Sequence, residues 1–356
     1  MTTRLLIVTD ILDVDDLVHG YFHRWAEELA LHTPEMHILA TKKGYHTLPS
    51  HVRVHSLGEE EKRGRIVKTM RLVWFMLRYI RSYDAVFVVS SPARVVKLGW
   101  WWKLWRKPIG LWYQSGDSSA ALSVARPLLS FIFTPTTHGY HGGGDIKRIV
   151  GYGLDVTRFK PLLRPKHDGV FRMVTVGAIS AVKDYETLIE AVSLLHESVE
   201  KPIVLTIVGA PKEGEEAFAL EVRSYARGFG LGEVITFAGP MKNIEVAKAH
   251  QAADVYVGMN TREGIEKTLA EAAASGLPIL TANRAFEEFA RDYAPFVFFD
   301  PKDATMLAER LRHMMKMSYD ARHALGHVFR DVAVHHYSLD AFARGVMSAY
   351  EHVDRG

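Results

Sequence analysis

The sequence predicts an α/β fold of two doubly wound, Rossmann-like domains, and three observations predict it. Short apolar runs rich in β-formers alternate with helical patterns along the whole chain. Those runs are nearly continuous in apolar residues, as strands of a parallel sheet covered on both faces are. At 356 residues the chain also exceeds one ordinary core. The rhythm restarts after VGYGLDVTRFKPLLRPKHDG, which places one domain at residues 1–163 and a second at 164–338, with a C-terminal helix of residues 339–356 packing back on the first. The strand ends facing the cleft between two such sheets are the expected ligand site.

In order, RLLIVTD is a strand, HGYFHRWAEELALH a helix and HILATKK a strand. KRGRIVKTMRLVWFMLRYIRS (Lys62 to Ser82) reads as a long helix, because Ile66, Met70, Val73, Leu77 and Ile80 form an apolar stripe at helical spacing, suited to packing on a sheet. DAVFVVSS, IGLWYQSG and LLSFIFTPT are strands. Between the first two lies GWWWKLWRKP, read as a helix whose consecutive tryptophans point about 100° apart and so cannot share one face. In the second domain the strands are FRMVTVGAIS, KPIVLTIVGA, VITFAG, DVYVGMN and LPILTANR. The helices between them are KDYETLIEAVSLLHE, EEAFALEVRSYARGFG, NIEVAKAHQAA and IEKTLAEAAASG, the last ended by Gly276, and the tail from Ala304 is mostly helical.

Zero cysteines exclude disulfides, thiolate metal sites and a cysteine nucleophile. No apolar run reaches the roughly 18 residues of a spanning helix, and MTTRLLIVTDILD lacks the features of a signal peptide, so the expected location is cytoplasmic. The net charge of +3 hides an asymmetry. Residues 1–163 hold 22 Lys/Arg against 14 Asp/Glu, hence +8, and residues 164–356 hold 22 against 27, hence −5. The basic half favours anionic partners.

The most informative stretch is TREGIEKTLAEAAASGLP. A helix beginning near Ile265 leaves Glu263 in the loop at its N-terminus and puts Glu271 about two turns in, so the two serve different parts of one ligand. Free N–H groups and the positive end of the dipole make that N-terminus a seat for phosphate. The stretch resembles the E-x7-E motif of retaining GT-B glycosyltransferases of family 4, the "glycosyl transferases group 1" type. VGAISAVKDYETLIEA, LTIVGA, ITFAG and AADVYVGMN resemble further motifs of that family in the same order, and VGYGLDVTRFKP resembles the one at the join between its domains. The N-terminal half matches weakly.

The resemblance implies a GT-B fold and transfer of a sugar from a nucleotide-sugar donor, UDP- or GDP-linked, to a hydroxyl acceptor with retention of configuration and without metal or other cofactor. It implies that Glu271 holds the ribose hydroxyls, Glu263 contacts the transferred sugar, and Lys183 pairs with the diphosphate. Glu263 and Lys183 are thus the catalytic candidates. Gly177, Gly209, Gly264, Ile265, Lys267, Thr268 and Leu269 complete the donor-binding set, the amides from Ile265 to Leu269 meeting phosphate or sugar. This chain departs from the pattern at Ala178, where members commonly have arginine; Lys267 or a basic residue of the N-terminal domain are the alternatives for a substitute cation. Glu266 stands where many members have glycine or proline and adds negative charge near the phosphate. In the N-terminal domain TDILDVDDLVHGYF replaces a glycine-rich loop and offers His19 and Gly20, and Gln114 stands where members often carry histidine. These three are the acceptor-side candidates.

Three other signals are weaker. Asp13-Val14-Asp15 spells a D-x-D metal pattern directly after the first strand, where acidic loop residues are ordinary. HGGGD (141–145) matches neither phosphate-loop pattern, and the 18 histidines show no tight metal-ligand spacing.

On the Lys62 to Ser82 helix, Arg71, Trp74, Phe75, Arg78 and Arg81 lie beside the expected core stripe, and the segment carries seven Lys/Arg and no acid. With Trp100, Trp101 and Trp105 of the tryptophan segment, Arg71, Trp74 and Arg78 form the expected peripheral contact with an anionic membrane at its inner face, where a lipid-linked or cell-envelope acceptor would be met. A non-catalytic sugar-nucleotide or lipid-binding member of the same fold is the alternative. A nucleic-acid partner is not expected, because it would leave the second-half motifs without a role.

Overall fold

The computed structural model describes residues 3–353 apart from 17–18, 115–118, 143, 163–167, 261–263 and 265. It divides into two compact units, Met1–Gly153 with His336–Gly356, and Leu154–His335.

Unit 1 runs β1 (Leu5–Leu12), α1 (Tyr21–Leu31), β2 (Met36–Lys43), β3 (Val52–Ser56), α2 (Arg65–Tyr79), β4 (Ala85–Val89), α3 (Pro92–Leu104), β5 (Ile109–Trp112), α4 (Ala120–Ala125), β6 (Phe131–Thr134) and β7 (Lys147–Ile149). Its sheet has the order β3-β2-β1-β4-β5-β6-β7 with every pairing parallel. The winding reverses between β1 and β4, which opens a crevice at their C-terminal ends.

Unit 2 runs β8 (Phe171–Val176), α5 (Tyr185–Glu197), β9 (Ile203–Val208), α6 (Glu216–Gly228), β10 (Ile235–Gly239), α7 (Asn243–Gln251), β11 (Val255–Gly258), α8 (Lys267–Ala274), β12 (Ile279–Thr281), α9 (Glu287–Ala290), α10 (Ala294–Val297), α11 (Ala304–Lys316) and α12 (Tyr319–Tyr337). Its sheet is β10-β9-β8-β11-β12, again parallel, with the reversal between β8 and β11. The last helix, α13 (Leu339–Glu351), belongs to unit 1. Its Phe342 ring lies 4.3 Å from that of Trp25 on α1, and Tyr350 Oη donates to Val86 O at 2.7 Å.

Residues 154–162 group with unit 2, although the sequence places them before its boundary. Phe159 is buried against the His250 ring, and Gln251 Nε2 donates to Lys160 O at 2.9 Å. Three elements of unit 1 gave no sequence signal. β3 and β7 are short edge strands, half-exposed and carrying Arg53, His55, Lys147 and Arg148, and α4 has only six residues.

The expected core stripe of α2 is corrected. Ile66, Met70, Val73 and Leu77 are 77%, 66%, 51% and 62% exposed, and of the five only Ile80 is buried. The helix turns its Phe75 and Met76 face inward instead. The Phe75 and Tyr79 rings lie 4.8 and 4.6 Å from His55, beside the stacked His37–His55 pair on β2 and β3. The rings of Phe75 and Tyr79 find matching aromatic partners in His37 and His55, which the aliphatic stripe does not.

On α3 the inward face is Val95, Gly99 and Trp102. A Cβ on Gly99 would come within 2.9 Å of Leu128 Cδ1, so the absent side chain lets α3 approach. Trp102 is fully buried, with Nε1 donating to Tyr83 Oη at 3.1 Å. Trp100 and Leu104 point outward at 68% and 75% exposure and Trp105 is partly exposed, whereas Trp101 is half-buried against the core. Trp101 therefore does not sit on the outer face assigned to it.

Candidate active site

At the C-terminal ends of the unit 2 strands, one glycine makes room for a lysine and a second makes room for the first. Gly177, directly after β8, has φ +140°, and a Cβ there would stand 2.0 Å from Lys183 Nζ. Gly209, after β9, has φ +148°, and its Cβ would meet Gly177 O at 2.0 Å. Only glycine satisfies both the backbone angle and the space. Lys183 is buried, donates to Val176 O at 3.0 Å, and lies 3.4 Å from Glu266 Oε1. Its backbone bridges Asn260 just beyond β11, which draws the β8 and β11 loops together.

Helix α8 starts at Lys267, because Glu266 is still extended at φ −71°, ψ 143°. Glu271 is consequently one turn into the helix rather than two. It is buried, and Oε1 lies 3.0 Å from Lys267 Nζ, although off the direction of a proper hydrogen bond. Thr268 Oγ1 is 3.1 Å from Tyr256 Oη. The Leu269 amide donates to Glu266 O at 3.1 Å and its side chain is buried, so Leu269 belongs to the helix and the core rather than to the ligand-facing amides. Gly264, at φ +92°, accepts from Asn283 Nδ2 at 2.9 Å through its carbonyl. Glu263 and Ile265 lie outside the described residues. Ala178 is exposed and provides no cation, as its residue type dictates.

Sequence reasoning missed four neighbours. Asn283 ties the loop before α8 to the end of β12. Glu266, noted only as a nearby charge, pairs with Lys183. Tyr185 and Tyr256 are buried beneath the pair, and burial first, with Glu266 adding to it, pushes both phenol pKa values well above their usual range, so both stay neutral. None of these has a local motif. The arrangement as a whole gathers Lys183, Lys267, the α8 N-terminus and a buried carboxylate, a set that can hold an anion with a polyol beside it.

In unit 1, His19 Nδ1 is 3.3 Å from Asp16 Oδ1, and Gly20 caps α1 with its amide donating to Asp16 O at 2.9 Å. Gln114 is exposed just after β5. Asp13 Oδ1 accepts from the Asp15 amide at 3.0 Å, a turn cap that accounts for the D-x-D without an ion. The HGGGD stretch falls partly outside the described residues.

The family pattern described as "Glycosyl transferases group 1" matches residues 162–330. Those residues form a glycosyl transferases group 1 domain. Among sequences similar to this chain are the D-inositol 3-phosphate glycosyltransferase of Thermomonospora curvata, 26% identical over 193 residues, and spore coat protein SA of Bacillus subtilis, 27% identical over 188. The aligned part is 49% of this chain in both cases and 45% and 47% of the relatives, so the chain spans about half the length of the relatives it matches. Among solved structures, Anabaena Alr3699/HepE in complex with UDP has a TM-score of 0.75 at 14% identity, covering 98% of this chain and 100% of that one. Sucrose-phosphate synthase from Thermosynechococcus elongatus has 0.72 at 17% identity, covering 98% of each. At such identities the likeness concerns the fold, which is that of GT-B glycosyltransferases, and the glycosyl transferases group 1 domain coincides with unit 2 apart from its first and last few residues.

Proposed function

We propose that the protein is a retaining glycosyltransferase that takes a UDP- or GDP-sugar as donor and a lipid-linked or cell-envelope glycan precursor as acceptor. The observation that carries the reading is the buried Lys183, seated against Gly177 with its Nζ 3.4 Å from the carboxylate of Glu266, the N-cap residue of α8. As the glycosidic bond to the diphosphate breaks, negative charge grows on the leaving phosphate, and a fixed lysine plus a helix N-terminus stabilise it there. Acceptor oxygen and leaving phosphate share one face of the sugar, and the phosphate oxygen takes the hydroxyl proton. With Lys183 and Lys267 supplying the positive charge, the reading calls for no metal. Glu271 takes the ribose hydroxyls, and Glu263 is assigned to the transferred sugar by its place in the motif. Anabaena Alr3699/HepE, whose complexes contain UDP, UDP with glucose, and UDP-glucose, supports this class of donor.

Peripheral membrane contact is part of the proposal. Ile66, Met70, Val73, Trp74 and Leu77 make an exposed apolar face on α2, flanked by the exposed Arg65, Arg78 and Arg81, and Trp100 and Leu104 add to it from α3. Apolar groups framed by cations suit an anionic bilayer surface. No helix among the described residues is long and apolar enough to cross a membrane.

The test is incubation with UDP- and GDP-sugars, following release of nucleoside diphosphate and the anomeric configuration of the product by NMR. Release with retention supports the reading. Binding without any release favours the non-catalytic alternative, and inverted product contradicts the mechanism. Flotation with anionic liposomes tests the surface: Met70 and Leu77 changed together to Ser should abolish it.

A further inference from the structure

The crevice of unit 1 holds a second constellation, built on Arg94. It lies where β1 and β4 diverge, in a cavity of about 350 Å³ whose floor is Leu39, Leu57, Leu72 and Leu98 and whose rim includes Asp10, Ser91, Arg94 and Lys97. Arg94 sits in the first turn of α3, and its side chain is only 16% exposed. Its NH2 donates to Asp10 Oδ1 and, at 2.7 Å, to Thr41 Oγ1. Its NH1 is buried and has no hydrogen-bond partner. Ser91, the N-cap of α3, makes no side-chain capping hydrogen bond; Pro92 has no N–H and the Arg94 amide donates to Ser91 O at 3.1 Å, so the helix N-terminus contributes its dipole rather than a row of free amides.

Buried guanidinium nitrogens usually find partners, and with NH2 satisfied by Asp10 and Thr41 the unpartnered NH1 points to an acceptor from outside the chain. The missing partner is an acceptor for NH1, and an oxyanion suits a donor that is itself a cation. Charge agrees, with Arg94, Lys97 and the helix dipole set against the single carboxylate of Asp10. The apolar floor adds that the ligand carries a hydrocarbon portion. Burial first, opposed by Asp10, draws the Arg94 pKa below its usual value, as a desolvated cation requires.

We propose that this cavity seats the oxyanion, phosphate or carboxylate, of an amphipathic acceptor, with Arg94 as its principal donor. The inference rests on the glycosyl-transfer reading only for the word acceptor, and the binding itself is independent of unit 2. Asp10, at the other side of Arg94, is then placed to accept from a hydroxyl of the same molecule.

The test is isothermal titration of the full chain with octyl phosphate, octanoate, octyl glucoside and inorganic phosphate, below their micellar concentrations. The inference predicts that octyl phosphate or octanoate binds at least about tenfold more tightly than octyl glucoside and inorganic phosphate. Whichever of the two binds more tightly identifies the oxyanion. Arg94→Gln should abolish that preference while UDP and GDP titrations stay unchanged. Should Arg94→Gln fail to fold, Arg94→Lys, which keeps charge without the fork, and the exposed Lys97→Gln should each weaken binding severalfold. Equal binding of the neutral octyl glucoside, or an affinity indifferent to these changes, overturns the inference. Anion binding that depends on Arg94 in a protein that binds no nucleotide would leave the cavity standing and remove the glycosyltransferase reading.

Discussion

Lys183 Nζ lies 3.4 Å from Glu266 Oε1, so the cation assigned to the donor diphosphate already has a carboxylate beside it. The lysine is almost fully buried and the glutamate largely so, and their attraction is poorly screened. A diphosphate reaching Lys183 must displace or share that contact. Replacing Glu266 by Gln keeps the shape and removes the charge. The expected result is a nucleoside diphosphate affinity higher by about three- to tenfold, roughly 1 kcal/mol, measured by isothermal titration. Weaker binding would place Glu266 among the groups that help the donor, and unchanged binding would mean that the diphosphate does not compete with it.

Gly177 gives a steric prediction on the same lysine. Alanine there forces an unfavourable backbone at φ +140° and drives a methyl to 2.0 Å from Lys183 Nζ. Gly177→Ala should therefore lower donor affinity at least about tenfold while far-UV circular dichroism stays native, since the end of a long side chain gives way before the strand does. A donor affinity equal to wild type would remove Lys183 from the site.

The tryptophans of α3 separate by burial. Trp102→Ala empties a fully enclosed site and removes the hydrogen bond to Tyr83, and should cost about 3–5 kcal/mol of unfolding free energy in urea. Trp100→Ala, at a site 68% exposed, should change stability by no more than about 0.5 kcal/mol yet reduce liposome flotation. Similar stability losses in the two variants would contradict this division.

Buried histidines give the fold an acid weakness. His250 is wholly enclosed, with Nδ1 3.3 Å from Ser275 Oγ, and burial holds its pKa down to about 3. His55 is held down to about 4, by burial first and then by His37. In the unfolded chain both take a proton near 6.5. Their contribution is therefore present above that pH and is lost as pH falls toward 4 and below, with a slope of about 1.4 kcal/mol per pH unit for the enclosed His250 and a smaller one for the half-buried His55. The urea midpoint should drop between pH 7 and pH 4.5, and His250→Phe should flatten the drop. A pH-independent midpoint would refute the neutral, buried assignment.

Much of this was legible in the sequence, and the exceptions share a cause. The strands of unit 2, Lys183 and Glu271 were picked out because continuous apolar runs and an ordered motif are local signals. The Lys183–Glu266 contact was not, because residues far apart in sequence meet only through the bridge between Lys183 and Asn260. The pairing of β1 with β4 brings Asp10 to Arg94 in the same way, across a stretch that resembles no motif. α2 was misread for a different reason. Its aliphatic stripe has the correct period, but period alone does not tell which of two apolar faces packs, and the sequence does not show that His37 and His55 await Phe75 and Tyr79.

We propose that unit 2 binds a nucleotide sugar through Glu271 and Lys183. The most direct measurement is the thermal shift of wild type and of Glu271→Ala with UDP-, GDP- and ADP-sugars, because a ligand that binds only the folded state raises the melting temperature. The expected result is a shift of several degrees with UDP- or GDP-sugar in the wild type and its loss in Glu271→Ala, whose own melting temperature remains measurable. No shift with any of these donors, or an equal shift in Glu271→Ala, would contradict it.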